Sequence, residues 1–533
     1  MIKILDCTLR DGAYIVNGDF GVTAIKGIIS KLTEAQIDII ECGWLKNDAC
    51  KNGSTYYHIP DDLNTIIGKK TGNVTYVVMI DWNRYDLSQL PERSGDTIDA
   101  IRVVFPKDKY VEGIAVAREI KEKGYDVYLQ AANTMAYSDE EIHNLVSCTN
   151  SCKPVSLSIV DTFGEMHAED LRHIVTLIDG ELDGNIGLGF HSHNNQQMSF
   201  ALSIEFIETL SKGSREIIVD SSLCGMGRGA GNATTELLVS YINKKHNGYY
   251  DLNVIMDAID MYMVSFQERY QWGYSTSYFI AGVYGCHVNN IAYLLKNHRC
   301  NGKDMKNVIE SLPEADRKKY DYDLLESKFI EYQSNRVDDT QAIATLKETI
   351  GNKKVLLIAP GKSIIEEQAY IKQYIEDEKP VVIGVNAICD KYSYDYIFFA
   401  NKIRYEYAKE IYTDIFKASK KILLSNIRTK AKDNEYLINY DKVIKRGWEH
   451  FDNAVIVAMR LISKLEIEDV AIAGFDGFKH AYNDSYADES LPTLNPDNKW
   501  DELNEEIRDM YQDFRKSLGN RMRIKFITES YFE

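Results

Sequence analysis

The stretch Ile186–Leu210 reads IGLGFHSHNNQQMSFALSIEFIETL and combines two hydrophobic patterns. Its first five residues form an uninterrupted apolar run, which is typical of a strand buried on both faces of a parallel sheet. From Gln196 onward, apolar side chains recur at helical spacing. The stretch therefore predicts one strand followed by one helix.

Seven similar apolar runs occur in the first 230 residues, and segments with helical spacing separate them. These runs are Ile2–Leu5, Ile37–Gly43, Val74–Ile80, Ala100–Phe105, Asp126–Ala131, Val155–Val160 and Glu216–Ser222. Eight strand–helix units in succession predict an α/β fold of the (β/α)8, or TIM, barrel type. A doubly wound open sheet is the alternative.

The rest of the chain predicts three further regions. Residues 246–335 have helical spacing and are expected to form a helical extension that completes the active site of a barrel at 1–245. Residues 336–352 are mostly polar and are expected to be a linker. Strand-like runs such as KVLLIA and DVAIAGFD recur within 353–533 and predict a smaller, Rossmann-like α/β domain.

Composition restricts the class of protein. The chain has 533 residues and a net charge of −18, with a sequence pI near 5.2, which argues against a general nucleic-acid binder. Its nine scattered cysteines suit reduced thiols. The N-terminus lacks the pattern of a signal peptide, and no apolar run approaches the roughly 18 residues of a membrane helix. We expect a cytoplasmic homo-oligomer with no membrane span and no nucleic-acid partner.

Chemically useful side chains follow three of the predicted strands. The first strand leads into DCTLRDG (Asp6–Gly12), the seventh into HSHNN (His191–Asn195) and the eighth into CGMGRGAGN (Cys224–Asn232). The carboxyl ends of barrel strands share one face, and closure places strand eight beside strand one. We therefore expect these three segments to meet.

The HSH sequence and Asp11 predict a metal site. His191 and His193 are two residues apart on a strand and so point to the same side. With the carboxylate of Asp11 they form a ligand set that leaves open positions, as at a catalytic Mg²⁺, Mn²⁺, Co²⁺ or Zn²⁺. The alternative interpretation is an ordinary polar strand end.

The neighbouring residues allow two interpretations each. Arg10 could stabilise an enolate or pair with a carboxylate at the barrel end. The glycines from Gly227 to Asn232 could bring the backbone close to a ligand, or form a tight turn capped by Asn232. Asp161, which ends strand six, could face substrate or cap a helix.

These three segments resemble the DRE-TIM metallolyases, a superfamily of metal-dependent barrels, over roughly Met1 to Lys296. The resemblance implies metal ligation by Asp11, His191, His193 and Asn232, and an enolate-stabilising role for Arg10. The sequences HSHNN and GMGRGAGN are more similar to the 4-hydroxy-2-oxovalerate aldolase branch than to the acyl-CoA branch, in which HxHND and GxGER are usual.

The expected activity is therefore a divalent-metal-dependent aldolase, with Mn²⁺ or Mg²⁺ favoured. It would act on a pyruvate-type 2-oxo acid enolate and an aldehyde, with Gly227 and Arg228 near the substrate. An acyl-CoA-dependent condensing enzyme and a non-enzymatic scaffold are the alternatives.

One position departs from the aldolase pattern. Those aldolases carry a histidine three residues after the metal-binding aspartate, and here that position is Tyr14. An ordinary tyrosine, with a pKa of about 10, is a poor base at neutral pH. Either Tyr14 acts with an altered pKa or another group does, and His287 is a candidate whose alternative role is simple helix packing.

The C-terminal region resembles, more faintly, the Rossmann-like folds of bacterial sialyltransferase-like proteins. The resemblance implies a nucleotide or nucleotide-sugar site formed by Gly361, Ser363, Asn386 and Asp476. Nucleotide-sugar transfer is then an alternative activity. The pairing of the two regions suggests a sugar-derived aldehyde and a role in bacterial surface-carbohydrate biosynthesis.

Overall fold

The computed structural model describes residues 1–48, 51–68, 70, 73–94, 97–298, 300–351, 353–429, 433–449, 452–479, 482–493, 495, 499–519 and 521–533. The chain divides into two compact units. The first contains Met1–Ile291 and Pro313–Lys319, and the second contains Ala292–Leu312 and Tyr320–Glu533.

Within the described residues, eight parallel strands of the first unit close into a barrel. They are β1 (Ile2–Asp6), β2 (Ile39–Leu45), β3 (Thr75–Asp81), β4 (Ala100–Phe105), β5 (Asp126–Ala131), β6 (Ser156–Asp161), β7 (Gly187–Ser192) and β8 (Ile217–Ser221). β1 pairs with β8 in the register Ile2↔Ile217 and with β2 in the register Leu5↔Ile39. This closure confirms the predicted TIM barrel and excludes the open sheet.

The barrel strands are apolar because both of their faces are covered. A small inner layer fills the barrel, while a larger layer packs between the strands and the surrounding helices. The buried members of the inner layer are Leu5, Cys7, Ile39, Val77, Ala100, Tyr128 and Ile218. The outward side chains of the same strands belong to the larger layer, so few strand positions can be polar.

Helices of the first unit alternate with the strands. Their bounds are Thr8–Asp11, Ala13–Val16, Val22–Glu34, Asn64–Ile67, Tyr110–Glu122, Asp139–Cys152, Ala168–Glu181, Ser199–Leu210, Thr235–Lys245, Leu252–Ala258, Val264–Arg269 and Thr276–Val283, with a π-helical turn at Ile259–Met263. Asp139–Cys152 begins where Ser138 accepts a hydrogen bond from the Glu141 N–H (3.3 Å) and Glu141 accepts one from the Ser138 N–H (2.8 Å). This reciprocal cap fixes the first turn.

The second unit contains a parallel sheet of seven strands within the described residues. The strands are β9 (Val355–Ile358), β10 (Val381–Val385), β11 (Tyr396–Phe399), β12 (Lys420–Leu424), β13 (Glu435–Ile438), β14 (Asp469–Ala473) and β15 (Arg523–Phe526). Their spatial order is β13-β12-β11-β10-β9-β14-β15. The accompanying helices are Ser363–Glu366, Gln368–Glu378, Lys402–Ile411, Thr413–Ala418, Ala454–Lys464 and Trp500–Leu518. The predicted second α/β domain is confirmed.

The chain segment that follows the barrel and precedes the second sheet differs from the sequence expectation. Its helices are Val288–His298, Gly302–Glu310, Glu314–Arg317, Tyr322–Ser334 and Thr340–Ile350. The predicted extension, 246–335, is divided between the two units. Tyr322–Ser334 belongs to the second unit, where the Ser425 hydroxyl donates to the Gln333 carbonyl at 2.9 Å.

The expected linker, 336–352, contains the helix Thr340–Ile350. Leu346 and Ile350 are fully buried in the core of the second unit, and Ile343 packs against it. Three apolar residues spaced by three and four positions therefore outweigh the polar composition that suggested a linker.

The helices of the described residues include none with the length and apolarity needed to cross a bilayer.

Candidate metal centre

Three potential metal ligands converge at the carboxyl end of the barrel. Asp11 ends the short helix that follows β1, while His191 lies in β7 and His193 directly after it. One ligand atom from each of these residues lies within 4.8 Å of the other two. The predicted convergence is confirmed, because the three side chains lie close together at one site.

Hydrogen-bond acceptors fix the orientation of both imidazoles. Nδ1 of His191 lies 3.0 Å from Oδ2 of Asp220, and Nδ1 of His193 lies 3.1 Å from the carbonyl oxygen of Asp161. A carbonyl and an ionised carboxylate only accept, so each Nδ1 carries the proton and donates. Each Nε2 therefore keeps its lone pair for a cation, the arrangement usual for metal-binding histidines.

Asn232 contacts this cluster through its amide nitrogen, and its predicted role as a metal ligand stays a prediction. Its Nδ2 donates to Oδ2 of Asp11 at 2.6 Å and to the Met226 carbonyl at 3.3 Å, which sets the orientation of the amide. Its Oδ1 is buried and has no hydrogen-bond partner. A buried acceptor without a donor is costly, and a cation would satisfy it. The residues present therefore fit a divalent metal.

Gly227 allows this close packing. A Cβ at this position would lie 2.2 Å from Nδ2 of Asn232 and 2.6 Å from Oδ2 of Asp11. The sequence predicted that the glycine backbone comes close to a ligand. In the structure the backbone at Gly227 comes close to the side chains of Asn232 and Asp11 instead. Gly227 does not line the cavity above them, in contrast to its predicted place beside the substrate.

The predicted pairing of Arg10 with carboxylates is present, and its role at an enolate stays a prediction. Its Nε donates to Oε2 of Glu41 at 2.7 Å and its Nη1 donates to Oδ1 of Asp11 at 2.6 Å. Burial alone would raise the pKa of Asp11, but the charge of Arg10 holds it well below its usual range. Arg10 also lines the cavity, so it can pair with carboxylates and face a ligand.

A buried charged network links Arg10 to His191, and the sequence analysis missed it. Arg102 is 1% exposed, donates to Oε2 of Glu41 at 2.8 Å and pairs with Asp220. Glu41 binds Arg10, and Asp220 binds His191. The available signal was a charged residue within each of three otherwise apolar strands, β2, β4 and β8.

A cavity of about 200 Å³ lies over the cluster. Its wall contains seven residues that the sequence assigned to catalysis, metal or substrate, namely Arg10, Asp11, Tyr14, His191, His193, Arg228 and His287. Asp81, Gln130 and Asn195 also line it, and the sequence did not predict them.

Neither predicted base has a pKa near neutrality. Tyr14 keeps 47% of its surface exposed, but removal of water from its hydroxyl raises its pKa. Burial and the charge of Arg228 lower the pKa of His287 to about 3. Nη2 of Arg228 lies 3.2 Å from Nε2 of His287 and donates to Asn289 at 2.7 Å. Both residues are therefore weak bases at neutral pH.

Asp161 acts as a turn residue. Its Oδ1 accepts from the Glu165 N–H at 2.9 Å, and the Ser192 hydroxyl donates to its Oδ2 at 3.3 Å. Burial raises its pKa to about 6. The carboxylate does not line the cavity, and it caps no helix either, because the helix Ala168–Glu181 begins after His167.

Asn195 joins two loops beside the cluster. Its Nδ2 donates to the Phe163 carbonyl and its Oδ1 accepts from the Ala230 N–H, both at 2.9 Å. The residue is 1% exposed. The side chain must donate to the Phe163 carbonyl and accept from the Ala230 N–H, and an amide can do both. A carboxylate, as in the HxHND sequence, could only accept.

The second unit contains a separate cavity of about 230 Å³. Gly361, Asn386 and Asp476 line it, while Ser363 does not. Oδ2 of Asp476 accepts from the Ser363 N–H at 2.8 Å, and its Oδ1 accepts from the Ser363 hydroxyl at 2.5 Å. Three of the four predicted nucleotide-site residues therefore face one cavity.

The barrel has aldolase and lyase homology in addition to its Asp/His/His cluster. Residues 106–262 match the family model HMGL-like. The chain is 26% identical over 267 residues to the oxaloacetate decarboxylase of Mycobacterium tuberculosis, covering 48% of this chain and 74% of that protein. It is 26% identical over 278 residues to the 4-hydroxy-2-oxovalerate aldolase of Thermomicrobium roseum, covering 50% and 74%.

A solved structure gives a similar comparison. The N-terminal domain of a candidate aldolase from Bacteroides vulgatus is 26% identical, with a TM-score of 0.48, covering 55% of this chain and 96% of that one. None of these comparisons identifies the second unit.

Proposed function

We propose that the barrel is a divalent-metal-dependent aldolase that cleaves or forms a carbon–carbon bond next to the carbonyl of a 2-oxo acid. The observation that carries the proposal is the cluster of Asp11, His191 and His193, with both Nε2 atoms available at the mouth of a closed barrel. We favour Mn²⁺ or Mg²⁺, because Asp11 and Asn232 add hard oxygen ligands to the two nitrogens. The aldolase and decarboxylase relatives support this reaction class.

The metal, held by Asp11, His191, His193 and Asn232, would polarise the 2-oxo acid carbonyl as a Lewis acid. Arg10 would stabilise the negative charge that develops on the enolate oxygen. Its Nε and Nη1 are held by Glu41 and Asp11, and its Nη2 has no hydrogen bond among the described residues. A guanidinium fixed in this way is preorganised, and loss of one such donor typically costs about 10²–10³ in rate.

In the aldol cleavage, the C4 hydroxyl of a 4-hydroxy-2-oxo acid gives its proton to a base. The C3–C4 bond then breaks, an aldehyde leaves, and the electron pair of the bond becomes that of the enolate. Protonation at C3 gives the second product, a pyruvate-type acid. The sequence offers Tyr14 or His287 as the base, and we propose a sugar-derived aldehyde as the other product because of the faint resemblance of the second unit.

Decarboxylation of a 2-oxo acid with a C4 carboxylate is the second candidate. The raised pKa of Tyr14 and the lowered pKa of His287 favour it, because this cleavage removes no hydroxyl proton. The C3–C4 bond breaks, carbon dioxide leaves, and the same enolate forms. The oxaloacetate decarboxylase relative supports this candidate.

Exchange of the pyruvate methyl protons in D2O, followed by NMR with Mg²⁺ or with chelator, tests the enolate step that both reactions share. We expect metal-dependent exchange that needs no thioester, and a loss of at least about 100-fold in His193→Gln. His143→Gln, at a half-exposed position, is the matched control and should exchange normally. Exchange that survives both chelator and His193→Gln would contradict the proposal.

Product analysis separates the two candidates. Release of carbon dioxide from oxaloacetate indicates the decarboxylase, and release of an aldehyde from 4-hydroxy-2-oxo acids indicates the aldolase. A requirement for acetyl-CoA in either assay would instead support the acyl-CoA alternative.

A further inference from the structure

The cavity of the second unit lies at the carboxyl edge of its sheet. Its wall includes the residues that directly follow β9, β10 and β14, which are Ala359, Asn386 and Gly474. β9 lies between β10 and β14, so the direction in which the chain adds strands reverses at this point. Ligands of open α/β sheets bind in the crevice at such a reversal.

Arg404 brings a buried positive charge with one unpartnered nitrogen to this cavity. It lies in the first turn of the helix Lys402–Ile411 and is 8% exposed. Its Nη1 is buried and has no hydrogen-bond partner, and its guanidinium carbon lies 4.9 Å from the ring centroid of Tyr486. Burial lowers the pKa of Arg404, and the neighbouring Tyr486 and Asp488 offset this only in part. An oxyanion would supply the missing partner.

Asn426, another residue of the cavity wall, has an unpartnered acceptor. Nδ2 of Asn426 donates to the Ala400 carbonyl at 2.9 Å, and its Oδ1 is buried without a partner. This oxygen requires a donor, such as a hydroxyl group of a ligand.

The glycine turn after β9 does not offer an anion site of its own. The Ser363 N–H and hydroxyl are bound by Asp476, and the Gly361 N–H donates to the Gly474 carbonyl at 2.9 Å. A loop that binds phosphate must instead present free N–H groups. The oxyanion is therefore directed to Arg404 rather than to this turn.

The remaining wall suits a flat or apolar part of a ligand. The aromatic side chains of Phe475, Phe478, Tyr486 and Phe532 line the cavity together with its polar groups. Apolar walls with a few placed polar groups are typical of small-molecule sites.

We propose that this cavity binds a hydroxyl-bearing small molecule with one oxyanion, a phosphate or a carboxylate. The oxyanion contacts Nη1 of Arg404, and a hydroxyl donates to Oδ1 of Asn426. This site goes beyond the proposed barrel reaction and does not depend on it.

Thermal shift and isothermal titration of the full-length protein test the proposal with matched probes. The pairs are glucose 6-phosphate with glucose and AMP with adenosine, while glucuronate and inorganic phosphate complete the set. We expect at least one anion to bind saturably and its neutral partner not to bind. The phosphate and glucuronate arms distinguish the two kinds of oxyanion. The absence of a saturable response to every anion at millimolar concentration would overturn the proposal.

Variants locate the site. Arg404→Met should weaken binding of the responding anion by at least about tenfold, and Arg404→Lys should keep part of it. The unliganded stability of Arg404→Met should change little, because removal of the buried charge relieves its desolvation cost and offsets the lost contact with Tyr486. Arg515→Met, at an exposed position of the helix Trp500–Leu518, is the control. Unchanged anion binding in Arg404→Met would overturn the proposal.

Discussion

Substitution of Asn195 by aspartate would remove the hydrogen-bond donor that joins two loops beside the metal cluster. The Phe163 carbonyl, now bound at 2.9 Å, would lose its donor and face a carboxylate oxygen. The hydrogen bond from the Ala230 N–H would persist, because a carboxylate also accepts. The substitution therefore removes only the hydrogen bond from Asn195 to the Phe163 carbonyl.

The expected cost follows from burial. Asn195 is 1% exposed, so water cannot replace the lost donor. An unsatisfied buried carbonyl together with a buried carboxylate next to it should lower the free energy of unfolding by about 2–4 kcal/mol. For a unit of this size that corresponds to a fall in Tm of roughly 3–6 °C.

The adjacent residue provides the matched control. Oδ1 of Asn194 accepts from the Ser199 N–H at 3.2 Å and from the Ser199 hydroxyl at 2.8 Å. Asn194→Asp keeps both contacts and adds a negative charge at the start of the helix Ser199–Leu210, which is favourable. Differential scanning calorimetry of both variants gives the comparison. Equal destabilisation by the two substitutions, or none by Asn195→Asp, would refute this reasoning.

Three further expectations concern the buried groups of the barrel. Asp220→Asn should weaken Mn²⁺ binding by about 10–100-fold in calorimetric titration, because it alters the partner that orients a ligand imidazole; unchanged affinity in a folded variant would contradict this. Burial raises the pKa of Asp6 from 3.8 to about 6, so its ionisation costs stability as pH rises through that interval. Relative to Asp6→Asn, the wild-type free energy of unfolding in urea should fall by about 3 kcal/mol between pH 3.5 and pH 7, and a pH-independent difference would show the shift is absent. Gly227→Ala should weaken Mn²⁺ binding by at least about tenfold by displacing Asn232, whereas Gly184→Ala, which has open space around it, should bind normally.

The sequence predicted those features that depend on local pattern. Strands covered on both faces appear as apolar runs, so the barrel and the second sheet were predictable. Asp11, His191 and His193 were predictable because strand ends share one face and residues two apart on a strand point to one side.

Other features depend on which distant residues meet. Nothing in a single strand specifies that Arg102 bridges Glu41 and Asp220, because this pairing depends on the register of three strands around the barrel. The low pKa of His287 results from packing that its neighbours in sequence do not determine. Likewise, the sequence around Arg404 gives no sign that its Nη1 is buried without a hydrogen-bond partner.

The division of the chain into two units has a practical consequence for dissecting the protein. Residues Ala292–Leu312 belong with the second sheet, although the chain then contributes Pro313–Lys319 to the barrel unit. A cut at either side of 336–352 would leave the barrel fragment with helices that belong to the second unit. The complementary fragment would lack them and would expose apolar surface. Gene truncation at the apparent boundary is therefore expected to give poorly behaved halves, and each activity is better assigned by point substitution in the intact polypeptide.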